Sequence, residues 1–161
     1  MARNLHKGVL VDTNLFIAFL VGKYDRRQLT NCRATKAFQP ADFDLLEAFL
    51  NKFVILITTP HILTEVSNLA GKLSKSQHNG FRKFLGGVIA SITEEPLEAR
   101  KISIDENFPR LGITDTAIGL ISRGKYLVLT DEFELYGSLE KRRIDVVNFT
   151  HIRMRHWKNG G

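Results

Sequence analysis

Val9-Leu10-Val11-Asp12-Thr13-Asn14-Leu15 sets three aliphatic residues against an acid, two small polar residues and the start of a new apolar series. A short, uninterrupted aliphatic run reads as a strand buried on both faces, the habit of parallel sheets covered by helices. A second run, Tyr126-Leu127-Val128-Leu129, ends the same way, in Thr130-Asp131. Helical patterns follow both at once, over Leu15 to Val21 and over Phe133 to Leu139. If the two strands share a parallel sheet, both aspartates sit at carboxyl ends, on the edge where open α/β sheets bind their ligands.

The intervening chain continues the alternation. Ala41 to Phe53 carries a helical repeat, Val54-Ile55-Leu56-Ile57 reads as a strand, and Phe81 to Ile92 and Glu95 to Ile104 read as helices. Ile144-Asp145-Val146-Val147 reads as a closing strand. Strands alternating with helices predict an α/β fold, a parallel sheet with helices on both faces. One domain over 1–161 is expected, with a core at about 8–149 and a short basic tail at 150–161.

Helices place two further acids, Glu65 and Asp115. Thr59-Pro60 has the form of a helix start, Thr capping and Pro in the first helical position. Ile62, Leu63, Val66, Leu69, Ala70 and Leu73 repeat at helical spacing behind it. At ~100° per residue Glu65 falls beside Leu69 on the flank of that stripe, half drawn into the fold. Asp115 follows Gly112-Ile113-Thr114, in the first turn of a helix whose apolar face includes Ala117, Ile118 and Ile121. Taken singly, Asp12, Asp115 and Asp131 each suit a helix cap, worth ~0.5–2 kcal/mol, and Glu65 suits an ordinary helix flank. Capping does not require acids to end two buried strands and to edge a third apolar face as well. Acids gathered there would raise one another's pKa unless a cation were present. An all-oxygen donor set suits Mg²⁺ or Mn²⁺.

Val-Asp-Thr-Asn-Leu (11–15), Thr-Glu-Val (64–66), Gly-Ile-Thr-Asp-Thr-Ala (112–117) and Leu-Thr-Asp (129–131) resemble, in order and spacing, the acidic motifs of the PIN domain family. The resemblance spans roughly Gly8 to Phe149. It implies a Rossmann-like sheet and a metal-dependent ribonuclease using Mg²⁺ or Mn²⁺, similar to VapC-type toxins that pair with an antitoxin protein. It makes Asp12, Glu65, Asp115 and Asp131 the catalytic and metal-binding acids, with Asn14 and Thr130 lining the site, and it implies a homodimer. Two features depart from the family pattern. The segment from Gly22 to Pro40 is longer and more basic than the short connection expected there, and Asp131 follows Thr130 without a spacer. Asp131 and Glu132 thus both stand next to the strand end, and Asp131, the nearer, is the expected ligand.

In-line hydrolysis at such a site does not need a 2′-hydroxyl and leaves a 5′-phosphate. The preference for RNA therefore rests on the resemblance, and a structure-specific DNA nuclease stays open as an alternative. So does a PIN-fold module that binds RNA or protein without catalysis, although intact acids at all four positions argue against it. A response-regulator receiver domain also gathers acids at strand ends. It usually carries an acidic pair after the first strand, and Asp12-Thr13-Asn14 has none.

A formal charge of +6 and a pI near 9.6 point to a polyanionic partner. Lys23, Arg26, Arg27, Lys72, Lys75, Arg82, Lys83, Arg153 and Arg155 are the candidate nucleic-acid contacts, against the blander reading of a solvated basic surface. Phe81, Tyr136 and Trp157 could stack bases, although such aromatics more often belong to the core. Cys32 is the only cysteine, so no intramolecular disulfide forms, and no Cys/His cluster has zinc spacing. The absence of a Gly-x-x-x-x-Gly-Lys-Ser/Thr loop disfavours nucleotide triphosphate hydrolysis. No run of about 18 apolar residues suggests a membrane span. The N-terminal Met-Ala-Arg-Asn-Leu-His-Lys lacks the apolar core of a signal peptide, so the cytoplasm is the expected location.

Overall fold

The first strand, β1 (Val9–Val11), is wholly buried, and Gly8 before it turns the chain with φ +95°. A side chain at Gly8 would meet the Ile55 carbonyl, so glycine is needed for both its backbone and its closeness. This computed structural model describes residues 8–71 and 73–160. After β1 come α1 (Thr13–Tyr24), a 3₁₀ turn at Arg26–Gln28, α2 (Pro40–Leu50), β2 (Leu56–Thr58), α3 (Pro60–Ala70), α4 (Lys75–Ser91) and β3 (Thr93–Glu94). The second half runs α5 (Ala99–Ser103), α6 (Phe108–Ser122), β4 (Leu127–Thr130), α7 (Phe133–Lys141), β5 (Val146–Asn148) and α8 (Phe149–Asn159).

The fold is α/β. Its five strands form one sheet in the order β3-β2-β1-β4-β5, and every neighbouring pair is parallel. In register, Val9, Leu10 and Val11 stand opposite Leu127, Val128 and Leu129 on one side, and Val9 and Leu10 opposite Leu56 and Ile57 on the other. α1 packs against α2, α3 and α4, and α6 packs against α5 and α7. Right-handed crossovers produce this division when the two halves of a sheet wind outward from a central strand in opposite directions, and they cover both faces. α1 is apolar almost all round, burying Leu15, Phe16, Ile17, Ala18, Leu20 and Val21, as expected of a helix enclosed by others.

Several boundaries differ from the sequence reading. The second strand starts at Leu56, leaving Val54 89% exposed and Ile55 40% exposed. Pairing with β1 sets this start: Val9 N–H donates to the Ile55 carbonyl, and the ladder opens at Val9 opposite Leu56. β3 was not foreseen, being two exposed polar residues held only by β2. The helix expected over Glu95 to Ile104 shrinks to α5, because Pro96 lacks an N–H and restrains the residue before it.

Most of the basic tail expected at 150–161 is helical, within α8. Asn148 caps α8 by accepting from Thr150 N–H at 2.9 Å, Phe149 is fully buried, and Ile152 packs on the core. The basic segment after α1 also folds inward, with Leu29, Cys32, Thr35 and Phe38 buried beneath its charges. Among the described residues no helix is long and apolar enough to cross a membrane.

Candidate functional site

The order of the sheet reverses between β1 and β4, the switch point where ligands bind in doubly wound sheets. Asp12 follows β1 and Asp131 follows β4, so the two adjacent strands bring them together. Asp12 is 1% exposed. One of its oxygens, Oδ1, caps α1 by accepting from Leu15 N–H at 3.1 Å. The other, Oδ2, accepts from Asp131 N–H at 3.1 Å and from the Thr130 hydroxyl. Thr130 Oγ1 accepts in turn from Glu132 N–H at 2.9 Å, so one hydroxyl shapes the whole turn out of β4.

A second group of acids lies beside the first. Glu65, on α3, accepts from Thr13 Oγ1 at 2.9 Å and from Thr114 Oγ1 at 2.5 Å. Glu132 accepts from Asn14 Nδ2 at 3.3 Å and is hydrogen-bonded to Asp115. Asp115 reaches this position because α6 breaks at Gly112, whose φ of 78° and ψ of −175° interrupt the helix and restart it pointing at the site. Thr13 and Asn14, next to Asp12 in sequence, therefore join the acids of α3 and α7 to the end of β1.

The electrostatics of the five acids follow from their crowding. Burial pushes Asp12 well above the ordinary carboxylate range, helped by the charges of Asp131 and Glu132 and opposed by the bonds from Thr130 and Leu15. Asp131 is raised by burial, against the opposing charge of Arg153 and a hydrogen bond from Asn14. Asp115 is pushed up to about 7, first by burial and then by the charges of Glu132 and Glu65. Glu132 is raised by burial and by Asp131 and Glu65, while its bond with Asp115 pulls the other way. Burial and crowding thus favour the protonated form of Asp115 up to a pH of about 7.

The bland reading of these acids as caps is met by Asp12 alone, since neither Asp115 nor Asp131 caps a helix with its side chain. Asp131 Oδ1 is buried and has no hydrogen-bond partner among the described residues. As the side chains stand, no three acidic, histidine or cysteine groups among the described residues are arranged to hold a cation. Their oxygens are engaged by Thr13, Asn14, Thr114, Thr130 and each other. The donor set nonetheless fits a hard divalent cation, being oxygen throughout, over-charged and provided with an orphaned acceptor.

Asp12, Glu65, Asp115 and Asp131 are brought to one edge of the sheet, with Asn14 and Thr130 beside them. Glu65 differs in one respect: it is exposed rather than half buried. α3 turns Ile62, Leu63, Val66 and Ala70 inward, which leaves Glu65 on the outer rim, held by two hydroxyls. Glu132 is a full member beside Asp131. Thr13 and Thr114 escaped the sequence reading, although each is the immediate neighbour of a predicted acid, a position from which a hydroxyl can reach across to another.

The basic candidates divide into three groups. Lys23 pairs with Glu47 at 2.6 Å, Arg26 with Asp44 at 2.7 Å and Arg27 with Asp25 at 3.0 Å. Arg153, on α8, forks onto buried Asp42 with Nε and Nη2 both at 2.9 Å. Lys75, Arg82, Lys83 and Arg155 are exposed, and Lys72 lies outside the described residues. Of the candidate stacking aromatics, Phe81 is buried against Tyr24, whereas Trp157 is exposed. No protein-family model matches the chain, and no curated protein matches it significantly.

Proposed function

We propose that this protein is a divalent-metal-dependent ribonuclease, with Asp12, Glu65, Asp115, Asp131 and Glu132 as its acidic centre. The observation that carries the reading is the gathering of five carboxylates from four separate elements at the switch point of the sheet. Such a cluster costs stability in the free chain, and a bound cation would relieve that cost. The net charge of +6 supports a polyanionic substrate. The resemblance of the four acidic segments to PIN domain motifs supports RNA as that substrate, and it brings an antitoxin protein and a second copy of the chain into the proposal as partners.

Asp12 and Asp131 would hold the cation from the strand side, and Glu65, Asp115 and Glu132 from the helix side. When bound, Mg²⁺ or Mn²⁺ would supply positive charge to the phosphate and lower the pKa of a water. The chain's own residues do the rest. The Thr13 and Thr114 hydroxyls fix Glu65, Thr130 fixes Asp12 and the turn into α7, and Asn14 orients Glu132. Arg153, forked onto Asp42, offsets negative charge at Asp131. Asp115, whose carboxyl is pushed up to about 7 in the metal-free chain, would be held as the carboxylate by a bound cation.

The test is cleavage of an end-labelled single-stranded RNA with Mg²⁺, Mn²⁺ or EDTA, by the unmodified chain and by Asp12→Asn and Asp115→Asn. Metal-dependent cleavage lost in both variants is the expected result. No cleavage with either ion, together with no heat of ion binding in calorimetry, would overturn the reading in favour of a non-catalytic binding module. Cleavage surviving both substitutions would move the activity away from this site.

A further inference from the structure

The first turn of α7 carries an aromatic ring that the fold leaves in solvent at the edge of the acids. Phe133 is 81% exposed, while the helix turns Leu135, Ser138 and Leu139 inward. The residues on either side of it face α6: Glu132, before it, lies against Asp115, and Glu134, after it, is 3.9 Å from Arg110. The exposed ring therefore stands directly after an acid of the site.

We infer that Phe133 is a stacking platform for one unpaired base of single-stranded RNA. The inference rests on the ribonuclease reading and names the form of its substrate. Glu132 and Glu134 flank the ring and disfavour a phosphate directly against it, so the part of a nucleotide that can lie on the ring is its uncharged, flat base. Every base presents a π-face, and stacking on an aromatic residue is tolerant of sequence. A base still paired and stacked in a duplex has no face to offer, so the platform selects single strands over double strands. Phe is suited to the role because its ring is rigid about two torsions and loses little freedom on contact.

The test compares the unmodified chain with Phe133→Ala, Phe133→Leu and Phe133→Trp. The first readout is cleavage of single-stranded RNA with Mn²⁺. The second is the fluorescence of an RNA carrying one 2-aminopurine, which is quenched on stacking, measured in EDTA. The expected result is a KM raised about tenfold in Phe133→Ala and Phe133→Leu with kcat little changed, loss of the quench in both, and retention of KM and quench in Phe133→Trp. Cleavage of a duplex should be poor in every case. An unchanged KM or an intact quench in Phe133→Ala, while Asp115→Asn still abolishes cleavage, removes the stacking role and leaves the nuclease reading standing. No cleavage by the unmodified chain with either metal removes both. Phe133 buries almost nothing, so equal melting temperatures of the variants confirm that the comparison is not one of folding.

Discussion

Replacing Asp115 by Asn should make the metal-free protein more stable at alkaline pH and leave it nearly unchanged in acid. The carboxyl of Asp115 is pushed from an ordinary 3.8 to about 7. Below pH 4 both the folded and the unfolded chain hold the proton, and the native environment exacts no penalty. Between pH 4 and 7 only the folded chain keeps it, so stability falls as pH rises. Above 7 the group is ionised in both states, and the loss is complete. A rise of this size corresponds to at most roughly 4 kcal/mol. Part of the carboxyl meets solvent, and screening there reduces the figure to ~2 kcal/mol. Asn cannot ionise, keeps a donor for Glu132 and escapes the loss. Thermal melts in EDTA from pH 4 to pH 8.5 should show the variant gaining ~4–8 °C at the alkaline end and little at the acid end. A gain that is flat across pH, or a variant less stable at pH 8, would refute the crowding argument on which the site rests.

Two further substitutions probe the frame around the acids. Arg153→Ala strands the buried carboxylate of Asp42 without its fork and should cost ~3 kcal/mol in urea denaturation; a loss under ~1 kcal/mol would mean that α8 is held by its apolar contacts instead. Gly112→Ala forces a side chain into backbone angles that are nearly reserved for glycine. No atom of the described residues lies within 4 Å of the added carbon, so the whole cost, ~1–3 kcal/mol, comes from the backbone, and unchanged stability would show that α6 can straighten without harm.

The central strands, and with them the placement of Asp12 and Asp131 at their ends, were legible because buried parallel strands have a plain signature. Val9-Leu10-Val11 and Leu127-Val128-Leu129 are unbroken aliphatic runs, each closed by a polar turn. The start of α3 was legible for a local reason, the Thr59 cap on Ile62 N–H at 3.1 Å followed by Pro60. β3 was not legible, since Thr93 and Glu94 are exposed and polar and become a strand only because β2 offers them a free edge. α8 was hidden by composition. Its basic, weakly apolar residues gain a place through Phe149 and through Arg153, whose partner Asp42 lies 111 positions away. The roles of Thr13 and Thr114 were equally out of reach, because a hydroxyl's partner is set by how helices meet and not by its neighbours in sequence.

The position of β1 at the middle of the sheet also bears on how the chain reaches its native state. Asp12 and Thr130 are 118 positions apart, and the ladder beside them closes a loop that holds most of the molecule. Such distant pairings form late and slow a domain's folding. During synthesis Val9-Leu10-Val11 emerges before β2 and β4, can gain β2 early, and then waits with an apolar, unpaired edge until β4 has been made. That interval is when the chain is most open to joining another copy edge to edge.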